Sequence, residues 1–535
     1  MKILIKNTCV IDGMKNPGFP GSVMIENDKV CKVVTGAVSS EDVKDADRII
    51  DGTGLVCAPG FIDTHSHSDL KVLSEPELLP KLHQGITTEV LGQDGISMAP
   101  LPLAYIEPWK KNLAGLDGTD ETIDWSYQDT AHYLKMVEKA EPALNEAYLL
   151  PHGNVRMEAM GLEDRPATDA DIEKMCEITR REMEAGCLGL SSGLIYMPCA
   201  YSKTEEIIAM CKVVREYDGV FVVHQRSEAD DILSSMDEII RIGRESGVKI
   251  HFSHFKVCGK PNWGLLDGMF QKLDEAKAAG ITVSFDQYPY VAGSTMLGVI
   301  LPPWAHDGGT DKLVERLGRE EDRARMKHDI AEGIPGWDNF IQFAGTEGLF
   351  ITSVASRENQ DVVGLSLDQL GAKRGISALD ATFDLLRDEK NAVGMVDFYG
   401  TEEHVVRIMK RPEMNLCTDG LLSGKPHPRV YGAFPRVLGK YVREEKQLSL
   451  EEAVYKMTYK AAQAMGIEKR GKIAEGYYAD LVLFDPDQVK DKGTFTEPEQ
   501  YAAGIRYVLV NGKVALEQET ATESRTGRVI RRTNQ

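Results

Sequence analysis

The chain of 535 residues, 42% hydrophobic and 27% charged, can bury a substantial core, as one large domain with appendages or as two or three domains. Its formal net charge of -21 argues against nucleic acid or an anionic membrane as the main partner, and no segment reaches the roughly 18 consecutive apolar residues of a membrane span. Nine cysteines with no C-x-x-C pair fit a reducing compartment better than a disulfide framework or a thiolate zinc site.

Residues 1–57 hold short alternating strands separated by turn signals, Ile11-Asp12-Gly13 and Glu26-Asn27-Asp28 among them. The first residues, Met1-Lys2-Ile3-Leu4-Ile5-Lys6-Asn7, read as a strand and lack the apolar core and cleavage site of a signal peptide, so a cytoplasmic protein is expected. From residue 58 to 466 short apolar runs alternate with helical patterns, the signature of repeated β/α units. Strands are predicted at 56–65, 86–93, 146–152, 187–195, 219–224, 248–254, 281–288 and 413–418. Eight is the strand number of a TIM (β/α)8 barrel, and the α/β class follows.

Such a barrel averages about 31 residues per unit, a beat that the strands around His224, His254 and Asp286 follow. The next polar-tipped run is Met414-Asn415-Leu416-Cys417-Thr418-Asp419, so about a hundred extra residues precede it. Roughly 300–400 is therefore expected to be an inserted lid subdomain between strands seven and eight. A smaller Gly- and Asp-rich excess sits at Gly115–Asp124. Residues 467–535 return to short strands with turns, through Gly471-Lys472-Ile473 and Val510-Asn511-Gly512, and are expected to pair with 1–57 in one small β-sandwich. Arg525–Gln535 reads as a polar tail.

The chemistry gathers at the predicted strand ends. His65 and His67 stand two apart on an extended run, so both can project from one face toward one metal ion. Alone, the pair is equally compatible with two exposed strand histidines. Asp94, His224, His254 and Asp419 occupy the ends of other strands, however, and six metal-capable residues at one edge are hard to explain as packing. Among the remaining histidines, His251 is expected to face the opposite side of its strand from His254, packed against a helix. His152 is expected to orient a ligand from behind. Asp69 either does the same for His65 or His67 or caps a helix.

Longer motifs carry a resemblance over nearly the whole chain. They are Pro59-Gly60-Phe61-Ile62-Asp63-Thr64-His65-Ser66-His67-Ser68-Asp69, Gly189-Leu190-Ser191-Ser192-Gly193-Leu194-Ile195-Tyr196, His224-Gln225-Arg226-Ser227-Glu228 and Ser253-His254-Phe255-Lys256. They continue through Asn262-Trp263-Gly264, Tyr288-Pro289-Tyr290-Val291-Ala292-Gly293-Ser294-Thr295, Thr418-Asp419-Gly420, His427-Pro428-Arg429-Val430-Tyr431-Gly432 and the C-terminal Gly471–Val482. In these the chain resembles the amidohydrolase superfamily and, within it, the N-acyl-D-amino-acid deacylase (D-aminoacylase) family.

The resemblance implies that His65, His67, His224, His254 and Asp419 surround one or two zinc ions, with Asp419 as general base for hydrolysis of an amide by metal-activated water. It implies Tyr196, Lys256, Tyr288, Ser294 and Arg429 as the groups that hold the carboxylate of an N-acyl amino acid, a small-molecule substrate. One position departs from the pattern. Where D-aminoacylases have Gly-Asn-Cys-Gly with a metal-binding cysteine, this chain reads Gly92-Gln93-Asp94-Gly95, and strand four offers no lysine for carbamylation. Asp94 is thus expected to bridge the metals, and the alternative is a turn aspartate.

The apolar stretch Met296–Trp304 suggests either a neutral or hydrophobic substrate or the hinge and core of the lid. A cyclic-amide hydrolase of hydantoinase or dihydroorotase type shares the fold and metals, and a non-catalytic scaffold would lack ligands that are all present here. A homo-oligomer is compatible with the sequence.

Overall fold

The structure, a computed structural model, describes residues 1–532. Eight parallel strands form the centre: β1 Phe61–Asp63, β2 Ile86–Leu91, β3 Asn145–Tyr148, β4 Gly189–Gly193, β5 Val220–His224, β6 Lys249–Phe252, β7 Val283–Gln287 and β8 Met414–Leu416. Seven of the eight fall inside the predicted runs, and β3 begins one residue before its run. β1, β2 and β3 pair in that order. Leu150–Pro151, just beyond β3, starts a second parallel sheet that continues through β4, β5, β6, β7 and β8.

Beyond the strand ends, Ser66 and Gly420 make a parallel bridge, and the Asp419 N–H donates to the His65 carbonyl at 2.9 Å. β5 is buried at every position, Val220-Phe221-Val222-Val223-His224. Strands covered by crossover helices are buried on both faces and are therefore uniformly apolar. The helices supply that cover. Asp169–Glu184 begins at a capping box between Thr168 and Asp171. Ile232–Ser246 buries Met236, Ile239, Ile240 and Gly243 on one face and stops at Gly247 in the left-handed conformation.

Three boundaries differ from expectation. The run predicted as one strand over 56–65 is two, because Val56–Pro59 pairs with Leu481–Phe484 and with Cys9–Val10 in the terminal sheet, whereas Phe61–Asp63 pairs with β2. Gly60 makes the transition, since a Cβ there would lie 2.2 Å from the Thr87 side chain.

The insertion also starts earlier than 300. Ala292–Met296, Val393–Phe398 and Leu349–Val354 form an antiparallel three-stranded sheet, in that spatial order, flanked by helices such as Thr310–Leu317 and Ala378–Asp388. Leu297, Ile300 and Leu301 are fully buried there, so the apolar stretch is core of the insertion.

Finally, the segment read as a polar tail contains Val529–Ile530, which pairs with β3 in parallel, Val529 opposite Glu146. The last three residues of that segment, 533–535, lie outside the described residues. The terminal strands make one continuous nine-stranded sheet, with Ile3, Ile5, Val23, Ile25, Leu481 and Leu509 in a shared buried cluster. Among the described residues no helix is long and apolar enough to cross a membrane.

Candidate metal centre at the strand ends

The chain leaving β1, β2, β5, β6 and β8 converges on one edge and brings six buried side chains together. His65 Nε2 lies 3.6 Å from both Asp94 Oδ2 and Asp419 Oδ1, and His67 Nε2 lies 3.6 Å and 3.3 Å from the same two atoms. His254 Nε2 is 3.8 Å from Asp94 Oδ1 and 3.0 Å from His224 Nδ1. Asp94 thus offers one carboxylate oxygen to the His65/His67 side and the other to the His254 side. His65, His67 and Asp419 form one group, and His65, Asp94 and His254 another, with ligand atoms within 4.8 Å of one another in each.

Backbone geometry aims these groups. Asp94, His254 and Asp419 adopt positive φ of 54°, 33° and 48°, the left-handed region that side chains other than glycine rarely occupy. Such conformations cost about 1–3 kcal/mol each and persist where the surroundings hold them. Asp286, at the tip of β7, provides part of that support. Its Oδ1 accepts from the His254 N–H at 2.5 Å, and its Oδ2 lies 2.9 Å from His251 Nε2. Beneath β1, the buried Lys81 ammonium donates to Asp63, Ser66 and Thr418 at 2.6–2.8 Å, and Asp63 accepts from the Thr418 N–H at 2.8 Å, which ties the His65 segment to the Asp419 segment.

The electrostatics of the cluster favour a cation. Burial opposes charge on His67, yet Asp419 and Asp94 raise its pKa to about 10. Burial likewise opposes ionisation of Asp419 and Asp94, yet Arg429 and His65 for the former, and His65 and His254 for the latter, hold both carboxyls below the usual range. Both nitrogens of His65 and Asp94 Oδ1 are buried without a hydrogen-bond partner. Each such atom costs about 1–3 kcal/mol unless something coordinates it. Imidazole nitrogen with carboxylate oxygen is the donor set of a zinc centre, so the residues present fit that ion.

A model of the amidohydrolase family matches residues 48–288 and 412–516. A D-aminoacylase from Alcaligenes xylosoxydans is 35% identical over 99% of this chain and 98% of its own length. The chain belongs to the amidohydrolase family, in its D-aminoacylase branch. The stretch between the two matched segments contains the three-stranded insertion.

Among solved structures, N-acyl-D-glutamate deacylase from Bordetella bronchiseptica, complexed with zinc and a phosphonate mimic of the tetrahedral intermediate, superposes with a TM-score of 0.83 at 31% identity, covering 99% of both chains. A D-aminoacylase structure gives 0.82 at 34% identity, again with 99% of both chains covered.

In this amidohydrolase, His67, Asp94, His224, His254 and Asp419 line a pocket together with Tyr196, Lys256, Tyr288 and Ser294, while His65 is fully buried beside them. The Tyr196 hydroxyl shares a hydrogen bond of 2.7 Å with Thr295. The Tyr288 hydroxyl accepts from Tyr399 at 2.8 Å. Ser294 Oγ donates to the Met395 carbonyl at 2.9 Å. Arg429 is fully buried behind Asp419, with Nη1 2.9 Å from Asp419 Oδ2, its guanidinium 4.3 Å from the Tyr288 ring centre, and Nε free of hydrogen-bond partners.

Three neighbouring residues do other work than expected. His251 faces Ser284 and Asp286, at 2.8 and 2.9 Å, instead of a helix. The alternation rule fails here because the strand ends at Phe252 and His254 lies in a left-handed turn. His152 opens the helix His152–Met160 and bonds Ser192 and Glu206, away from the cluster. Asp69 accepts from the Gly92 N–H at 2.8 Å and Ser97 Oγ at 2.5 Å, so it pins the loop that carries Asp94.

Glu228 has no role in the sequence reading, although it closes the His224–Glu228 motif. It sits between His224, His254 and Lys256, its Oε2 2.7 Å from the Lys256 ammonium. The signal was its place four residues after a candidate ligand at a strand end.

Proposed function

We propose that this protein is a zinc-dependent hydrolase that cleaves the amide bond of N-acyl-D-amino acids. The observation that carries the reading is the buried cluster of four histidines and two carboxylates with unpartnered ligand atoms. The relatives named above, a D-aminoacylase and an N-acyl-D-glutamate deacylase, supply the reaction class.

His65, His67, Asp94, His224, His254 and Asp419 would hold one or two zinc ions, with Asp94 in the bridging place that a cysteine occupies in the family pattern. When bound, zinc polarises an amide carbonyl and lowers the pKa of a coordinated water to about 7. The chain's own groups do the rest. Asp419 Oδ1, facing His65 and His67, accepts the proton of the attacking water and delivers it to the departing nitrogen, while Arg429 fixes Oδ2. Lys256, Tyr288, Tyr196 and Ser294, with the spare donors of Arg429, hold the substrate carboxylate and so place the scissile carbonyl.

The substrate side chain is neutral in this reading. Leu116, Phe340 and Phe343 line the pocket with the carboxylates Asp338 and Asp397, and Lys256 is its one lysine or arginine among the described residues. A carboxylate side chain would meet apolar rings and like charge.

In the same reading the eight strands close into a (β/α)8 barrel over 58–466, supported by the Ser66–Gly420 bridge. Residues 292–398 are its lid, and 1–57 with the segment from 467 form a small β-sandwich domain. The nine free cysteines accord with a cytoplasmic enzyme.

The test is to purify the protein, quantify bound zinc, and assay N-acetyl-D-methionine and N-acetyl-D-leucine beside hydantoin and dihydroorotate. Turnover of the linear amides by zinc-containing protein is expected. Hydrolysis of only the cyclic compounds would replace this reading with that of a cyclic-amide hydrolase.

A further inference from the structure

Glu228 reaches the outer side of two rings whose inner sides meet. The inner atoms, His224 Nδ1 and His254 Nε2, stand 3.0 Å apart. On the far side, Glu228 Oε1 lies 3.2 Å from His254 Nδ1 and Oε2 lies 3.6 Å from His224 Nε2. The Lys256 ammonium is 2.7 Å from Glu228 Oε2 and also 2.8 Å from His254 Nδ1. Glu228 is itself anchored, because its N–H donates to Asp338 Oδ2 at 2.6 Å and the other Asp338 oxygen accepts from Ser227 Oγ at 2.6 Å.

A neutral imidazole carries one proton, and the nitrogen that binds a metal must be the bare one. If His254 ligates through Nε2 and His224 through Nδ1, their protons belong on His254 Nδ1 and His224 Nε2, both of which face Glu228. An ammonium beside His254 Nδ1 threatens that arrangement. Lys256 has only donors, so a hydrogen bond from it to Nδ1 requires the ring proton to sit on Nε2, where it blocks coordination and points at Asp94.

We propose that Glu228 is a positioning residue that fixes the metal-binding tautomer of His254 and diverts the Lys256 ammonium from its Nδ1. The proposal rests on the reading above, that His254 ligates zinc. It makes the carboxylate a shared support for the metal and for the lysine assigned to the substrate carboxylate.

The experiment measures zinc affinity by competition with a chromogenic chelator for the wild type, Glu228→Ala, Glu228→Gln, Lys256→Met and the Glu228→Ala/Lys256→Met double variant. Loss of a carboxylate that orients ligating histidines costs about 10–100-fold in metal affinity, the loss expected for Glu228→Ala. Glu228→Gln keeps the shape and one acceptor oxygen, and its loss should be smaller. Lys256→Met should leave zinc affinity near the wild-type value in the parent protein and restore most of it in the Glu228→Ala background, because the competing donor is gone.

A merely structural glutamate would not be rescued by removing the lysine. Wild-type affinity in Glu228→Ala, or a loss that Lys256→Met leaves undiminished, would overturn the proposal while the zinc reading stands. A wild-type protein that binds no zinc would overturn both. If Glu228→Ala fails to fold, an unaltered zinc affinity in Glu228→Gln decides against the proposal and a lowered one for it.

Discussion

Arg429 Nη1 lies 2.9 Å from Asp419 Oδ2 with the arginine fully buried, so the proposed base and a proposed carboxylate-binding cation hold each other. A buried ion pair of this kind constrains both partners, and removing one leaves the other charge uncompensated. For Arg429→Met, loss of a charge-assisted contact of about 1.5–3 kcal/mol raises KM for N-acetyl-D-methionine about 10–100-fold. An N-acyl amine lacking the carboxylate should show a much smaller change, and steady-state kinetics on the two compounds separates the effects.

Asp94 is placed to touch both halves of the cluster. Asp94→Ala should lower the zinc bound per chain. Asp94→Cys, which restores the residue usual in the family, should retain it. Metal analysis after dialysis checks both, and full zinc content in Asp94→Ala would return this residue to the role of a turn aspartate.

Asp397 faces the pocket from the insertion, and burial pushes its carboxyl up to about 6. A Cβ added at Gly293 would lie 2.8 Å from Asp397 Oδ1, a measure of how closely it approaches the pocket wall. Asp397→Asn removes like charge from the path of an acidic side chain. It should raise kcat/KM for N-acetyl-D-glutamate about tenfold relative to N-acetyl-D-leucine, equivalent to about 1.4 kcal/mol of discrimination. An unchanged ratio would place specificity elsewhere in the pocket.

His306, in the insertion, donates from Nε2 to the Gly298 carbonyl at 3.0 Å, and burial pushes its pKa down to about 4. The unfolded chain, with a value near 6.5, takes up the proton first. The stability contributed by the neutral ring is therefore complete above about pH 6.5 and lost as pH falls toward 4. The side chain is only partly covered by its accessible surface, so about 1–2 kcal/mol is expected. Urea unfolding of the wild type and His306→Gln at pH 5 and pH 7 should show their difference shrinking by that amount at the lower pH.

Much of this architecture was legible in the chain because parallel strands covered on both faces are largely apolar, and β5 is so up to His224. The polar residues that end such runs stand out for the same reason, which is how His224, His254 and Asp419 could be placed on one edge. Contacts across strands were not legible. Asp286 meets His251 and His254 from one segment and Thr64 from another, and no local spacing records that.

Alternation also misled where the backbone leaves the pleat. β6 ends at Phe252 and His254 lies in a left-handed turn, so His251 meets Asp286 and not a helix. The insertion's sheet escaped because Ala292–Met296 joins a partner about a hundred residues away in sequence, and pairing at that distance leaves no periodic trace.

General acid-base groups contribute about 10²–10⁴-fold to rate, so Asp419→Asn should lose turnover of about that size while zinc content stays largely intact. Activity equal to the wild type would remove Asp419 from the role of base.

The most direct measurement is chiral. Racemic N-acetyl-methionine is incubated with chelator-treated protein to which zinc is returned in steps, and the free amino acid is resolved by enantiomer. The account predicts release of D-methionine alone, rising with bound zinc and stopping when half of the racemate is consumed. Release of L-methionine, or release that ignores zinc, would contradict it.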